Sequence, residues 1–347
     1  MENVRRSPIP TLLLMAAIIG GGYYFSQNFK VKGLDQLSVE SRDVSVSQTK
    51  TSLFEDTFEY GAGFPDSSEA PAEFVSRPGG PATLPRDAHK QTVSVLSWAL
   101  SGFGPGKLAN DRARQNVIRV LREHDVIALQ QIHAVERDLI PRLTDALNEG
   151  GRKYDYAMST VTGPADGREQ LAILFDTERV LIDRTQVYTI ADPAGQMTFD
   201  PLVAWFQVIG PPSGKAWTFS LVNIRVNLTR APVEVALLPG ILSSVRNDGR
   251  GEDDVVLAGL FQADDVYLIQ RVLGDQTAVA VRSAATDIFG RHQTCNIVMH
   301  DALTTEYIGR GGPIDFLRQY NLSLSDAESV SSHLPIFAVF TSHEGGL

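Results

Sequence analysis

Two apolar stretches decide the fold: DVIALQQIH, residues 125–133, and VVLAGLFQADD, residues 255–265. The uninterrupted aliphatic run in each is typical of a fully buried strand. Six further segments have a strand-like composition, and they are QTVSVLSWAL at 91–100, EQLAILFD at 169–176, LVAWFQVIG at 202–210, AWTFSLVNIRVNL at 216–228, CNIVMH at 295–300 and PIFAVF at 335–340. The chain therefore carries at least eight predicted strands, distributed from residue 91 to its end.

Helical spacing falls between these strands. Asn110 or Asp111 is a candidate N-cap for a helix with an apolar face. The other helical stretches are residues 139–147, residues 232–247, which Pro239 is expected to break, and residues 264–273. Many strands with a few interposed helices predict a layered α/β or α+β domain, and a two-sheet sandwich flanked by helices fits this pattern.

Composition and charge exclude several classes of protein. The 347 residues are 43% hydrophobic and 21% charged, which supports a sizeable core and excludes wholesale disorder. A formal net charge of −10 gives no strong signal for nucleic-acid binding, although a local basic groove stays possible. The single cysteine, Cys295, excludes an internal disulfide framework and a multi-cysteine zinc site.

The N-terminus predicts a membrane segment. Residues 1–8 form a short basic N-terminus containing Arg5 and Arg6, and residues 9–25 contain no charge. A cleaved secretory signal and an uncleaved signal-anchor helix both fit, and we favour the transmembrane anchor because no A-x-A-like site follows and two tyrosines end the run. We expect a single-pass membrane protein with its domain outside the cytoplasm, although two lysines just beyond the run weaken the charge bias.

Residues 26–92 differ from the rest of the chain. They are rich in Pro, Gly, Ser and Ala and show almost no apolar periodicity, which predicts a mostly disordered linker. The aromatic segment TSLFEDTFEY, residues 51–60, is the one part expected to dock elsewhere. The folded domain is expected over residues 93–347.

The order of segments in that domain resembles the endonuclease/exonuclease/phosphatase superfamily, the deoxyribonuclease-I-like proteins. The resemblance rests on six blocks, namely SVLSWALSGFG at 94–104, DVIALQQIH at 125–133, GREQLAILFD at 167–176, LVNIRVN at 221–227, VVLAGLFQADD at 255–265 and SSHLPIFAVF at 331–340. It implies an α+β fold, a four-layer αββα sandwich of two packed, mostly antiparallel sheets between helices. It also implies cleavage of phosphodiesters or phosphomonoesters with Mg²⁺ or Mn²⁺ at one end of the sheets.

The motifs of the first, second and fourth blocks depart from the superfamily pattern. Ala99 stands where the resemblance implies an Asn that binds metal or phosphate. Gln131 stands in place of the Glu that is the principal metal ligand, and Arg225 in place of a catalytic His. Each change replaces a group that serves the reaction with one of different chemistry.

The later motifs depart as well. Leu260 and Gln262 replace the Asp and Asn of the Gly-Asp-x-Asn motif, which orients the attacking water and the phosphate. Cys295 occupies an expected Asp position, and Ser332 replaces the Asp of the closing Ser-Asp-His motif. The resemblance thus implies four carboxylates at positions 131, 260, 295 and 332, and this chain has none of them.

Two residues match the superfamily pattern. His333 and Glu169 stand at catalytic positions and are the remnants on which any residual catalysis would depend. A lone histidine seldom acts unaided, so a packing role for His333 is the simpler interpretation. A thiol–imidazole pair of Cys295 and His333, joined by His133 or His292, is an open alternative that could hold a soft metal or act as a nucleophile.

Two other pairs of residues leave alternatives open. Asp264 and Asp265 could supply displaced carboxylates, but a helix-cap role suits Asp264 better. Arg225 and Arg168 could bind a phosphate or another anion without cleaving it, or could pair with a neighbouring acid.

Two functions follow from these residues. The first is a membrane-anchored pseudoenzyme that keeps the fold as a binding or scaffolding module for an unknown protein or anionic ligand, with no metal cofactor expected. The second is a divergent metal-dependent phosphodiesterase or phosphatase with a relocated site, which would use Mg²⁺ or Mn²⁺.

Overall fold

The computed structural model describes residues 91–192 and 194–346. The predicted membrane segment at 9–25 and the predicted linker from 26 to 90 lie outside the described residues. The first described strand begins at Thr92, which pairs with Thr341. Within the described ranges no single helix has the length and apolarity to span a bilayer. The neighbouring helical segments Leu228–Val235 and Leu238–Arg246 have that length and apolarity only when taken together, and they are bent by 55° at the break between them.

The described residues form thirteen strands and eight α-helices. The strands are β1 (Thr92–Phe103), β2 (Val126–His133), β3 (Tyr154–Met158), β4 (Glu169–Asp176), β5 (Val180–Ile182), β6 (Tyr188–Thr189), β7 (Leu202–Val208), β8 (Thr218–Arg225), β9 (Val255–Leu260), β10 (Thr277–Val279), β11 (Cys295–His300), β12 (Tyr307–Pro313) and β13 (Ile336–Thr341). The helices are α1 (Pro105–Ala109), α2 (Asp111–Leu121), α3 (Leu139–Asn148), α4 (Ala231–Val235), α5 (Leu238–Arg246), α6 (Asp265–Tyr267), α7 (Phe316–Gln319) and α8 (Leu324–Val330).

The strands form two mixed sheets. The first has the order β12-β13-β1-β2-β4-β3, and the second has the order β10-β11-β9-β8-β7-β5 with β6 beside β7. One neighbouring pair in each sheet is parallel, β1 with β2 and β8 with β9, and the other pairs are antiparallel.

Three apolar clusters hold the layers together. The central cluster lies between the sheets and includes Val95, Phe206 and Trp217. A second cluster joins the first sheet to α2 and α3, and a third joins the second sheet to α5. Helices therefore cover the outer face of each sheet, and the predicted α+β sandwich of two packed sheets between helices is confirmed.

Local details differ from the sequence predictions for identifiable reasons. The stretch predicted at 232–247 is interrupted as expected, because α4 ends at Val235 and α5 begins at Leu238. Pro239 lies in the first turn of α5, where its missing N–H is no loss. The stretch predicted as one helix at 264–273 is α6 followed by a π-helix over Leu268–Leu273. Asn110 is the N-cap of α2, because its side chain accepts a hydrogen bond from the Ala113 N–H.

Candidate functional site

A cleft of about 1160 Å³ opens at one end of the two sheets. Its inner end is lined by Gln262, Thr294, Ser332 and His333. Its outer walls carry apolar side chains that are more than 40% exposed, and these are Leu228, Val266, Tyr267 and Phe289. The cleft therefore combines a polar floor with an apolar rim.

Strand register brings three of the predicted site residues into one row. Arg225 at the end of β8 lies opposite Leu260 at the end of β9, and Leu260 lies opposite Cys295 at the start of β11. Residues at the same register share a face of the sheet. Leu260 and Cys295 belong to the central cluster between the sheets and are 0% and 2% exposed. The row thus closes the end of the core beside the cleft.

Arg225 and Glu169 form an ion pair. The Arg225 Nε donates to Glu169 Oε2 at 3.1 Å and Nη2 approaches Oε1 at 3.4 Å. Their side chains are 11% and 13% exposed, and the guanidinium lies 4.7 Å from the centre of the Phe199 ring. Of the alternatives predicted for Arg225, the structure has the pairing with a neighbouring acid, whereas Arg168 is exposed. Glu169, the one acidic residue that matches the superfamily motif, is therefore already paired with Arg225.

Cys295 and His333 do come together. The Cys295 Sγ lies 4.0 Å from His333 Nδ1, and the Thr294 hydroxyl lies 3.5 Å from the same nitrogen. Burial raises the pKa of the Cys295 thiol to about 12. Burial, and then the charge of Arg225, lowers the pKa of His333 to about 4. At neutral pH the pair is a protonated thiol beside a neutral imidazole, which is not an activated nucleophile.

Gln131 and Ser332 are both bonded to Ser101. The Ser101 N–H donates to Gln131 Oε1 at 3.0 Å, and the Ser101 and Ser332 hydroxyls are 2.7 Å apart. Ser101 and Gln131 have φ angles of 48° and 59°, and Gln262 has a φ of 56°. Left-handed backbone in residues other than glycine is strained and tends to occur at functional sites. Three such residues lie at this end of the sheets.

Ala99 and Gln130 lie side by side in β1 and β2, and both face the second sheet. Ala99 is fully buried in the central cluster. The Gln130 Nε2 donates to Asn223 Oδ1 at 2.7 Å, and Asn223 Nδ2 donates to the carbonyls of Leu129 and Ala172 at 3.0 Å. This buried amide pair joins the two sheets. A glutamine and an asparagine inside otherwise apolar strands were the sequence signal for it.

Lys107 is a site residue that the sequence analysis missed. Its Nζ donates to the carbonyls of Leu100 at 2.7 Å, Val330 at 2.8 Å and Ser101 at 3.1 Å. Burial lowers the pKa of this ammonium to about 8, and its charge contributes to the lowered pKa of His333. The only sequence signal for this role was the position of the lysine at the end of the loop SGFGPGK, residues 101–107.

Asp264, Asp265 and Asp287 are near the cleft but bonded to backbone. Asp264 accepts from the Tyr267 N–H at 2.7 Å, as predicted for a helix cap, and Asp265 accepts from the Ser283 N–H at 3.2 Å. Asp287 accepts from three backbone N–H groups, those of Phe289, Arg291 and His292. These carboxylates organise their own loops.

No three potential metal ligands gather around His333 within the described ranges. The two groups of acidic side chains close enough to share an ion are Glu252, Asp253 and Asp254, and Asp254, Glu306 and Glu344. Neither group contains Glu169, Cys295, His133, His292 or His333.

The chain is similar to deoxyribonucleases along most of its folded domain. Deoxyribonuclease gamma of Rattus norvegicus is 23% identical over 266 residues, covering 71% of this chain and 83% of that protein. Deoxyribonuclease-1 of Ovis aries is 23% identical over 267 residues, covering 72% of this chain and all of that protein. These similarities confirm the predicted resemblance to the endonuclease/exonuclease/phosphatase superfamily.

The superfamily also appears among solved structures. An endonuclease/exonuclease/phosphatase from Bacteroides vulgatus has a TM-score of 0.49 and 15% identity, covering 72% of this chain and 98% of that one. A humanized D. rerio TDP2 has a TM-score of 0.48 and 19% identity over the same shares. No protein-family profile matches the chain.

Superfamily enzymes use Mg²⁺ or Mn²⁺, so the groups at this end can be compared with what those ions need. The side chains at the motif positions are two amides, two alkyl groups, a protonated thiol, a hydroxyl, a neutral imidazole and a carboxylate paired with arginine. Asp264, Asp265 and Asp287 also line the cleft, but each is bonded to backbone N–H groups. A hard dication needs carboxylate oxygens free to coordinate it. The residues that surround His333 do not fit such an ion.

Proposed function

We propose that this chain is a non-hydrolysing member of the superfamily whose domain serves as a binding or scaffolding module. The observation that carries the proposal is Leu260. Its alkyl chain is fully buried at the position where the superfamily motif has the water-orienting aspartate, between Arg225 and Cys295 in the same register. An alkyl group neither accepts a proton nor coordinates a metal.

The surrounding groups support the same conclusion. Loss of one acid–base or electrostatic group commonly lowers a rate by ~10²–10⁴. Such losses are not additive within one catalytic unit. Nearly the whole constellation is changed here, and Glu169 is already paired with Arg225.

The cleft supports binding of a partner. Exposed Leu228, Val266, Tyr267 and Phe289 gather around its mouth, and large exposed apolar patches on soluble domains commonly mark interaction sites. Arg225 is neutralised by Glu169, so Lys107 supplies the positive charge beneath the floor that favours an anionic group on the ligand. The ligand class that fits is therefore a protein or small molecule with an apolar portion and a negative group.

A second candidate is a divergent metal-dependent phosphodiesterase or phosphatase. The deoxyribonuclease names of the relatives favour it. In that case His333 would act at the cleft floor and Glu169 would have to leave Arg225 to meet a metal ion.

Membrane anchoring by residues 9–25, with the domain outside the cytoplasm, is part of the proposal. The uncharged run after Arg5 and Arg6 supports it. Reporter fusions after residue 30 and after residue 347 test it, because an anchor with this orientation places both reporters outside the cytoplasm in the membrane fraction.

The deciding experiment measures hydrolysis by the purified chain. Duplex DNA and bis(p-nitrophenyl) phosphate are offered with Mg²⁺ or Mn²⁺, alongside His333→Ala and Glu169→Gln. We expect no metal-dependent turnover in any of the three. Turnover by the unaltered chain that both substitutions abolish would establish the second candidate.

A matched gain-of-function variant sharpens this test. Gln131→Glu with Ser332→Asp returns two carboxylates to the half-buried floor without altering the buried row. We expect Mn²⁺ affinity at the cleft to rise at least tenfold in this variant. Glu328→Gln, an exposed change on α8, is the control.

A further inference from the structure

A second polar site lies at the other end of the sandwich. Asp254 immediately precedes β9, whose far end is Leu260 at the cleft. Six residues of strand at about 3.3 Å each separate the two ends by ~20 Å. Glu306 precedes β12, and Glu344 follows β13, so three separate segments meet at this end.

The carboxylates of Asp254, Glu306 and Glu344 form a compact triad, which we call the basal triad. One oxygen from each lies within 4.8 Å of the others. Asp254 and Glu306 are each 1% exposed, whereas Glu344 is exposed and opens the triad to solvent. Among the described residues, no ion pair with Lys, Arg or His involves any member of the triad.

Two buried oxygens of the triad have no hydrogen-bond partner. Asp254 Oδ2 accepts from the Trp217 indole N–H at 3.0 Å, but Oδ1 accepts nothing. Glu306 Oε1 accepts from the Gly345 N–H at 2.6 Å, but Oε2 accepts nothing. A buried carboxylate oxygen left unpaired is costly. The Thr304 hydroxyl is close enough to Asp254 to act as its donor, so Glu306 Oε2 is the atom that requires a partner from outside the protein.

The charges in the triad repel one another. Burial, and then the nearby Glu306, raises the pKa of Asp254 to about 8. Burial and the neighbouring acids raise the pKa of Glu344 as well. Such a cluster is satisfied either by a bound proton or by a bound cation.

We propose that the basal triad binds a hard divalent cation, with Ca²⁺ the ion of best fit. Carboxylate oxygens are the ligands that Ca²⁺ prefers, and its flexible coordination by six to eight oxygens suits ligands drawn from three unrelated segments. Mg²⁺ demands near-ideal octahedral geometry and gives up its water reluctantly. Solvent access past Glu344 leaves room for the remaining water ligands.

The bound ion would join the two sheets. Asp254 belongs to the second sheet, whereas Glu306 and Glu344 flank strands of the first. The C-terminal segment already bridges them, because Trp217 N–H donates to Ser342 O at 3.0 Å and Glu344 N–H donates to Lys215 O at 3.0 Å. A cation held here therefore stabilises the folded chain, a structural role separate from the cleft.

The test uses the full chain, freed of metal with a chelator and then titrated calorimetrically with CaCl₂ or MgCl₂ at pH 8. We expect one Ca²⁺ site, weaker Mg²⁺ binding and a higher Tm with Ca²⁺. At 100 times Kd, bound Ca²⁺ favours the folded state ~100-fold. Glu306→Gln and Glu344→Gln should each lower the Ca²⁺ affinity at least tenfold.

One control isolates the triad. Glu328→Gln changes an exposed glutamate on α8 and should bind Ca²⁺ as the unaltered chain does. Because Glu344 is exposed, its variant reports on binding even if Glu306→Gln does not fold.

Three results would overturn the proposal. The first is absence of Ca²⁺ binding by the full chain at pH 8. The second is binding that neither glutamine substitution weakens. The third is a Glu306→Gln chain of higher Tm with no response to Ca²⁺, which would mean that Asp254 and Glu306 share a proton. Hydrolysis at the cleft is measured separately, so neither proposal depends on the other.

Discussion

At the scale of single residues, the cleft floor is made of groups that satisfy each other. Glu169 is bonded to Arg225, and Gln131 and Ser332 are bonded to Ser101. The Cys295 thiol is kept protonated by burial, and its imidazole neighbour is kept neutral. A ligand entering the floor therefore meets neutral groups and one internally neutralised ion pair.

The Arg225–Glu169 pair can be tested by a double-mutant cycle. Arg225→Met leaves a carboxylate that is 13% exposed without its partner, and we expect the free energy of unfolding to fall by about 2–4 kcal/mol. The double variant with Glu169→Gln should recover most of that loss, because no unpaired charge remains. Urea unfolding measures both, and additive losses would contradict a direct pairing.

His333 predicts a pH dependence of stability. Its pKa in the folded state is lowered to about 4, below that of an unfolded histidine. Between these two values the unfolded chain binds more protons, so this residue makes the free energy of unfolding rise with pH from about 4 to about 6.5.

The measurement compares His333→Gln with the unaltered chain across that range. We expect the free energy of unfolding of the variant to rise less steeply with pH, by an amount that corresponds to at most one bound proton. The comparison is needed because Asp254, with its raised pKa, changes stability in the opposite direction over pH 4–8. Equal slopes in both proteins would mean that His333 titrates normally when folded.

At the scale of elements, the parallel pairs β1–β2 and β8–β9 carry the site. The β1–β2 ladder shifts register between Ala99 and Phe103, and the shift places Ser101 and Gln131 in left-handed conformations. The ladder of β8 with β9 stays regular to its end, so Arg225 and Leu260 remain opposite each other. The β1–β2 pair is therefore irregular at the cleft floor. The β8–β9 pair holds Arg225 and Leu260 in the row that closes the core.

Gly259 is the element-scale prediction. A Cβ at this position would lie 2.0 Å from the Ile224 carbonyl oxygen on the neighbouring strand, where only backbone could give way. We expect Gly259→Ala to lower the free energy of unfolding by about 3 kcal/mol or more. Gly106→Ala is the matched control, because no atom lies within 4 Å of the added methyl group. Equal stability of the two variants in urea would show that β8 and β9 can separate.

At the scale of the whole molecule, aromatic stacking joins the sheets near the basal end. The Trp217 ring lies 4.1 Å from Phe219 and 4.6 Å from Phe340, which belongs to the other sheet. Its indole N–H also donates to Asp254. Packing and the proposed cation site therefore meet at one side chain.

Trp217→Ala should lower the free energy of unfolding by about 3–5 kcal/mol, since it opens a large cavity in the central cluster. Trp217→Phe keeps a stacked ring and should lose less stability, though it removes the hydrogen bond to Asp254. Trp205→Phe, at a half-buried position, is the control. A small loss for Trp217→Ala would mean that the sheets are held together elsewhere.

The long apolar runs and the order of the six blocks were enough to predict the two-sheet sandwich and its superfamily. Local chemistry also predicted the caps at Asn110 and Asp264, because a cap joins residues only three apart. Five strands were missed. Strands β5, β6 and β10 have only two or three residues, which carry too little periodicity to be recognised, and β3 and β12 lack an apolar run, since their sequences are YDYAM and YIGRGGP.

What the sequence determined by itself was therefore the long buried strands, the resemblance to the superfamily and the residue types that stand at its motif positions. Only the tertiary structure decided that Glu169 pairs with Arg225, that Lys107 lies against three carbonyls, and that Asp254 meets Glu306 and Glu344. Hydrophobic periodicity is a local property of the chain, whereas the charge and burial around one side chain depend on segments that are distant in sequence and become neighbours only when the two sheets pack.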